Sequence, residues 1–243
     1  TNNVCPTFVV ITITDSNNCI ASDTLIITEP SEIVANDVVV DVNCSGDSTG
    51  SITLNPTGGS GGIYNYVWSG PMPGSGISTT GLIAGIYEIT VTDSNNCSTI
   101  VIDTINQPSA LSSIPIGVDI SCNGVCDGMM SVIAIGGTTP YNYQWSIIPD
   151  PGNVDTVFNI CPIPLGNLTS SVTITDSNGC ITTQVITINE PLDITTSSIN
   201  LTNPSCYGYC DGGIEVLSTG GTSPFYYIWS NSNVGAINSN LCE

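Results

Sequence analysis

Apolar and polar residues alternate along this chain in short runs, the period-two pattern of half-buried β-strands. Tyr87-Glu88-Ile89-Thr90-Val91-Thr92 and Met130-Ser131-Val132-Ile133-Ala134 show it well, and valine, isoleucine and threonine dominate such runs. No segment carries convincing helical spacing. Between the runs stand turn-forming clusters: Gly-Gly from Gly136 and Gly220, Cys-Asp-Gly from Cys126 and Cys210, Asp-Ser-Asn-Asn from Asp15 and Asp93. The last of these predicts a hairpin into strands such as Ser98-Thr99-Ile100-Val101-Ile102. Tyr64, Tyr66 and Trp68 fall on one face of a further strand, as do Tyr141, Tyr143 and Trp145.

The pattern repeats. Thr-Asp-Ser-Asn-Asn-Cys ends at Cys19 and at Cys97, and Thr-Asp-Ser-Asn-Gly-Cys ends at Cys180. Cys-Asn-Gly-Val-Cys-Asp-Gly from Cys122 is matched by Cys-Tyr-Gly-Tyr-Cys-Asp-Gly from Cys206 and, in degenerate form, by Cys-Ser-Gly-Asp-Ser-Thr-Gly from Cys44. Trp68, Trp145 and Trp229 share one position in the unit, where core packing is the expected role and a sugar-stacking platform the sharper alternative. Each unit closes at a proline, Pro30, Pro108 or Pro191, because proline cannot continue a central strand. The expected division is therefore 1–30 as the C-terminal part of a repeat, 31–108 and 109–191 as complete repeats, and 192–243 as the N-terminal part of another. Units of roughly 80 residues with about seven short strands fit tandem immunoglobulin-like β-sandwiches arranged as a rod or filament, an all-β fold. Cys5, Cys161 and Cys242 occupy the same phase, so the chain is expected to be an excerpt of a longer array.

Eleven cysteines without zinc-finger spacing read as a disulfide framework in an oxidising compartment. The repeat at 109–191 has four: Cys122, Cys126, Cys161 and Cys180. The repeat before it keeps Cys44 and Cys97 and loses the middle two together, as loss of one bond would. This pairs Cys126 with Cys161 and Cys210 with Cys242. The first and fourth positions would lie at opposite ends of one sandwich, beyond disulfide reach. The alternative joins neighbouring repeats as Cys19–Cys44, Cys97–Cys122 and Cys180–Cys206, provided the linker proline turns the chain back. Both schemes stay open on the sequence.

Charge narrows the chemistry. All 20 charged side chains are Asp or Glu, with no Lys, Arg or His. Phosphate backbones and anionic membrane surfaces find no cation here, so no nucleic acid and no direct membrane insertion in this segment are expected. Histidine-based triads, Schiff-base lysines and P-loops are excluded. With no cleft of paired carboxylates unique to one repeat, the chain reads as non-enzymatic. The recurring Asp15, Asp93 and Asp176, and Asp127 and Asp211, have two readings. One is turn chemistry, the carboxylate capping nearby N–H groups. The other is calcium, which suits oxygen-rich acidic turns and is the one cofactor the composition leaves open.

Cys-x-Gly-x-x-Asp-Gly, then Gly-Gly-Thr-x-Pro-Tyr-x-Tyr-x-Trp-Ser, then a Thr-Asp-x-Asn-x-Cys hairpin resembles the SprB repeat family of large surface adhesins in gliding Bacteroidota. The match runs from Cys122 to Cys180, from Cys44 to Cys97 and in part from Cys206. The repeat at 31–108 departs by lacking two cysteines, and the next by Gly166-Asn167-Leu168 in place of a Gly-x-Tyr segment. The resemblance implies export by the type IX route, an extracellular cell-surface location and a filament that serves gliding or attachment. Its expected partners are neighbouring repeats, further copies of itself and surface glycans. It also marks Thr24, Ser48, Thr104 and Thr156, each after an aspartate, as similar to the O-glycosylation acceptors of that phylum.

Overall fold

The computed structural model describes residues 8–161 and 167–242, with the side chains of 197–199 left aside. It is all-β, and no helix occurs among the described residues. The chain divides into two compact units, Thr1–Pro108 and Ser109–Glu243.

In the first unit, β1 (Phe8–Thr14) and β2 (Ile20–Ile26) form a hairpin, followed by β3 (Ser31–Val34), β4 (Val38–Val40), β5 (Gly50–Thr53), β6 (Thr57–Gly59), β7 (Asn65–Ser69), β8 (Ser78–Leu82), β9 (Gly85–Thr92) and β10 (Ser98–Ile105). Antiparallel sheets β4-β5-β8 and β10-β9-β7, with the β3-β6 pair, enclose one core. In the second unit, β11 (Ser112–Val118), β12 (Gly128–Ile135) and β14 (Thr156–Ile160) form one sheet. β13 (Asn142–Trp145), β15 (Asn167–Thr175) and β16 (Ile181–Asn189) form the other. β17 (Thr195–Thr202), β18 (Gly212–Thr219) and β19 (Ile237–Leu241) make a third sheet.

The alternation in the sequence maps directly onto the two faces of each strand. Tyr87, Ile89 and Val91 of β9 are fully buried, while Ile86 and Glu88 on the alternate positions face outward. Val172 and Ile174 of β15 and Ile186 and Ile188 of β16 repeat the arrangement around Met130, Val132 and Trp145. Each such side chain contributes about 1.5–3 kcal/mol by leaving water.

The same pattern without an opposing sheet stays wet. In the β1–β2 hairpin Ile13, Ile20 and Ile26 are 62%, 71% and 75% exposed, although the ladder from Phe8↔Ile26 to Thr14↔Ile20 is complete. Local sequence therefore makes the hairpin, and burial needs the second layer.

Candidate functional site

The recurring polar motifs converge on the ends of each sandwich, where they tie loops together. At the hairpin turns Asp93 Oδ1 accepts the N–H groups of Asn95 and Cys97, both at 2.9 Å, and Asp176 Oδ1 those of Asn178 and Cys180, both at 2.9 Å. Asp15 does the same for Asn17 and Cys19 at 2.9 and 2.7 Å. The residue before each cysteine has a left-handed backbone, φ 66° at Asn18, 62° at Asn96 and 85° at Gly179, which is why that position is asparagine or glycine.

The second oxygen reaches across to the Gly-Gly turn. Asp93 Oδ2 accepts the Ser60 N–H and hydroxyl, each at 2.9 Å, and Asp176 Oδ2 accepts the Thr138 N–H at 2.8 Å. A Cβ on Gly59 or Gly137 would sit 2.7 Å from that same oxygen, so the second glycine makes room for the carboxylate. Both aspartates are buried, 1% and 5% exposed. The Ser60 N–H, with those of Cys97 and Asn95, holds Asp93 below the usual carboxylate range against its burial. For Asp176 burial pushes upward, but the N–H groups of Thr138, Cys180, Asn178 and Gly179 together prevail and lower it.

The other aspartates close the Cys-Asp-Gly turn. Asp127 Oδ1 accepts the Ser121 N–H at 3.0 Å, and Asp211 accepts the Ser205 N–H at 2.8 Å and its hydroxyl at 2.6 Å. Bonds from Ser121 and Ser205, side chain first and then backbone, hold both carboxyls below their ordinary value. In the first unit Thr49 substitutes, accepting the Asn43 N–H at 2.9 Å. The five aspartates thus stand at five separate turns with oxygens already engaged by N–H and hydroxyl donors. Among the described residues no group of three or more acidic or cysteine side chains is placed to hold a metal ion.

A third tie has a weaker sequence signal. Asn106 donates its backbone N–H to Asp41 Oδ1 and Asn189 to Asp119 Oδ1, each at 2.7 Å, and Gln107 and Glu190 accept from Gly46 and Gly124 at 2.9 Å. Only the shared Ile-Asn-Gln/Glu-Pro ending hinted at it.

Trp145 is 4% exposed in the second core, and Trp68 and Trp229 are half-buried. All three indoles donate to loop carbonyls, of Gly76, Val154 and Gly235, at 3.0, 2.7 and 2.8 Å. Tyr64 and Tyr141 donate to the first glycine of the Gly-Gly turn, Gly58 and Gly136, at 2.7 and 2.6 Å. Other aromatics stand in solvent, notably Tyr207 (95% exposed) and Tyr226 (88%).

Cys126 and Cys161 are bonded with Cα atoms 4.0 Å apart, and Cys210 and Cys242 with Cα atoms 4.1 Å apart. Each pair staples neighbouring strands at their ends, since Gly128 registers with Ile160 and Gly212 with Leu241. The corresponding rung of the first unit, Gly50↔Leu82, has Ser48 and Ile83 in those places. The expected bonds between repeats require correction: Cys19, Cys97, Cys122 and Cys206 are exposed free thiols, so Cys19–Cys44, Cys97–Cys122 and Cys180–Cys206 are not formed. Each hairpin-tip cysteine opens a strand of seven to nine residues that runs away from it, up to about 30 Å at 3.3 Å per residue. A staple would need the following strand to fold back alongside, and in the second unit no ladder joins β16 to β17. Cys5 lies outside the described residues.

Thr24, Ser48 and Thr104 are exposed, whereas Thr156 is half-buried and its hydroxyl shares a 2.8 Å hydrogen bond with Ser131. A groove of about 630 Å³ in the second unit is lined chiefly by Ile147, Ile148, Pro149, Pro151 and Phe158, with Asp150 as its one carboxylate.

Two stretches, 36–73 and 117–147, match the profile of the SprB repeat. Both stretches are similar to the SprB repeat. Both stretches run from the first strand region to just past the tryptophan strand of a sandwich. The SprB repeat is a surface-adhesin repeat without an enzymatic role, and the Cys126–Cys161 and Cys210–Cys242 disulfides accord with an extracellular setting. No curated protein matches the chain in sequence. Among solved structures it is similar to three N-terminal domains of the Highly Immunogenic Outer Capsid protein of bacteriophage RB49. Identity there is 10% over 84% of this chain and 78% of that one, with TM-score 0.47. It is also similar to a Dscam structure bearing on isoform specificity (10% identity, 72% of this chain and 51% of that one, TM-score 0.30). A third is the N-terminal eight Ig domains of DSCAM isoform 1.30.30 (11% identity, 91% and 35%, TM-score 0.32).

Proposed function

We propose that this chain is a non-catalytic structural segment of a secreted surface filament, its SprB repeats serving as stapled spacers that hold an adhesive element away from the cell. The observation that carries this reading is the use made of the recurring polar residues. Asp93, Asp176, Asp127 and Asp211 are engaged by backbone N–H groups of their own sandwich, and the tryptophan N–H groups by its loops. Residues repeated for shape rather than for a ligand are what a spacer requires. Type IX export, a role in gliding or attachment, and glycosylation at Thr24, Ser48 and Thr104 belong to the same proposal. Negative-stain electron microscopy of native material tests it. Beads about 40 Å apart along a rod or fibre are expected, from strand lengths near 3.3 Å per residue plus loops. Separate compact particles without beading would refute the filament.

A second reading, recognition of surface glycans by the repeats themselves, draws support from the exposure of Tyr207 and Tyr226. Glycan-array binding that Tyr207→Ala and Tyr226→Ala abolish would establish it. Absence of binding by the unaltered chain would leave the spacer reading alone.

A further inference from the structure

In the first unit β4, the three-residue edge strand of one sheet, packs against β10, the edge strand of the other. Asp103 lies in the middle of β10 with its side chain directed inward, 7% exposed, and its Oδ2 is buried with no hydrogen-bond partner. Its carboxyl meets that of Asp37, an exposed residue immediately before β4. Such a pair ordinarily draws a cation from the protein, but the chain contains no lysine, arginine or histidine. The other titratable group facing Asp103 is Tyr87, its cross-strand partner on β9, whose hydroxyl is committed to the Ile83 carbonyl at 3.0 Å. Glu88 points to the opposite, exposed face, and Asp41 beyond β4 is held by Asn106. A buried carboxyl that faces another without a cation favours its protonated form.

We propose that the buried Asp103 carboxyl keeps a proton and donates it in a hydrogen bond to Asp37, forming an acid-dependent clasp between the two sheets of the first unit. With the proton in place, one carboxyl donates an O–H bond to the other and the pair carries a single negative charge. When the proton leaves to solvent, two carboxylates face each other, one of them in the protein interior. Burial first, and then the charge and hydrogen bond of Asp37, push Asp103 up to about 6, so the clasp opens within the range of natural waters. The element that yields is β4, which has only three rungs to β5, whereas β10 has eight to β9. The second unit has Pro115 and Ile186 at the corresponding positions, with Ile186 4% exposed. It is therefore a built-in control without the device.

Hydrogen–deuterium exchange of the full chain, corrected for the intrinsic pH dependence of amide exchange, tests this. Peptides covering 37–42 and 98–106 are expected to lose about tenfold protection between pH 5 and pH 7.5, since opening follows one proton per pH unit below the pKa. Those covering 115–120 and 181–189 keep theirs. Asp103→Asn, which holds a neutral side chain at every pH, removes the pH dependence. Asp37→Asn, at an exposed position that folding tolerates, moves it to lower pH. Protection in 37–42 and 98–106 that is independent of pH in the unaltered chain overturns the clasp. So does a pH dependence that both variants retain unchanged.

Discussion

The Thr138 N–H donates to Asp176 Oδ2 over 2.8 Å, fastening the Gly-Gly turn after β12 to the hairpin turn between β15 and β16. These turns belong to opposite sheets, so one carboxylate sets how the sandwich closes at this end. Its other oxygen is already spent on the Asn178 and Cys180 N–H groups, so the hairpin cannot change its turn without letting go of the facing sheet.

Asp176→Ala leaves three buried or half-buried N–H groups without an acceptor and is expected to destabilise the second unit by about 2–4 kcal/mol. Asp176→Asn keeps an oxygen and should lose less. Denaturant unfolding followed by fluorescence ranks the two, and equal losses would show that the acceptor atoms do not matter.

The same residue fixes an acid response. Its folded pKa is depressed, so its contribution is present above the ordinary carboxylate pKa near 4 and disappears as pH falls through the lower folded value. Thermal unfolding between pH 5 and pH 2 should show a fall for the native chain and a shallower one for Asp176→Asn. Asp103 has the opposite sign: raised to about 6, it weakens its unit as pH climbs from about 4 past 6.

Gly137→Ala places a methyl 2.7 Å from Asp176 Oδ2 and 3.1 Å from Leu111, at φ +62°. Gly152→Ala meets nothing within 4 Å at φ +84°. The first is expected to cost about 3 kcal/mol or more, strain and displaced carboxylate together. The second should cost only the left-handed backbone strain of about 1–2 kcal/mol. Melting temperatures of the two variants, compared with the native chain, decide it.

Cys126→Ser with Cys161→Ser opens a loop of sequence separation 35. A loss of about 3–4 kcal/mol is expected in the chain-entropy model. Calorimetry of the double variant beside the native chain, both without reductant, measures the loss.

Trp145→Ala removes a fully packed side chain and is expected to cost about 3–5 kcal/mol, well above the change for the half-buried Trp229. Unfolding curves of the two alanine variants make the comparison.

Strands, turns and repeat phase were legible because they are local: alternation fixes which side of Ile89 or Val172 faces inward, and Asp-Ser-Asn-Asn dictates its own turn. The Cys126–Cys161 bond was legible because its counterpart is missing as a pair in the repeat before. What depends on two distant segments was not. Whether Ile13 and Leu25 are covered, or whether Cys97 can meet Cys122, depends on which surface comes to lie opposite, and nothing within one strand encodes that. Asp103 stands in the sequence as the aspartate before Thr104 in a glycosylation-like Asp-Thr pair. Its parity with the inward-facing Val101 and Ile105 was the signal that it points inward.

The disulfide in the second unit and its absence from the corresponding rung of the first have a mechanical meaning. When a tethered chain is pulled from its ends, the residues enclosed between Cys126 and Cys161 cannot lengthen. With a separation of 35 residues, about 120 Å of slack stays locked even after that sandwich ruptures. The sandwich before it has Ser48 and Ile83 at the corresponding places, so this particular rung carries no covalent lock there. Repeats of one pattern would thus differ at this rung, one holding its strand ends by a covalent bond under load and the other by the β-ladder alone.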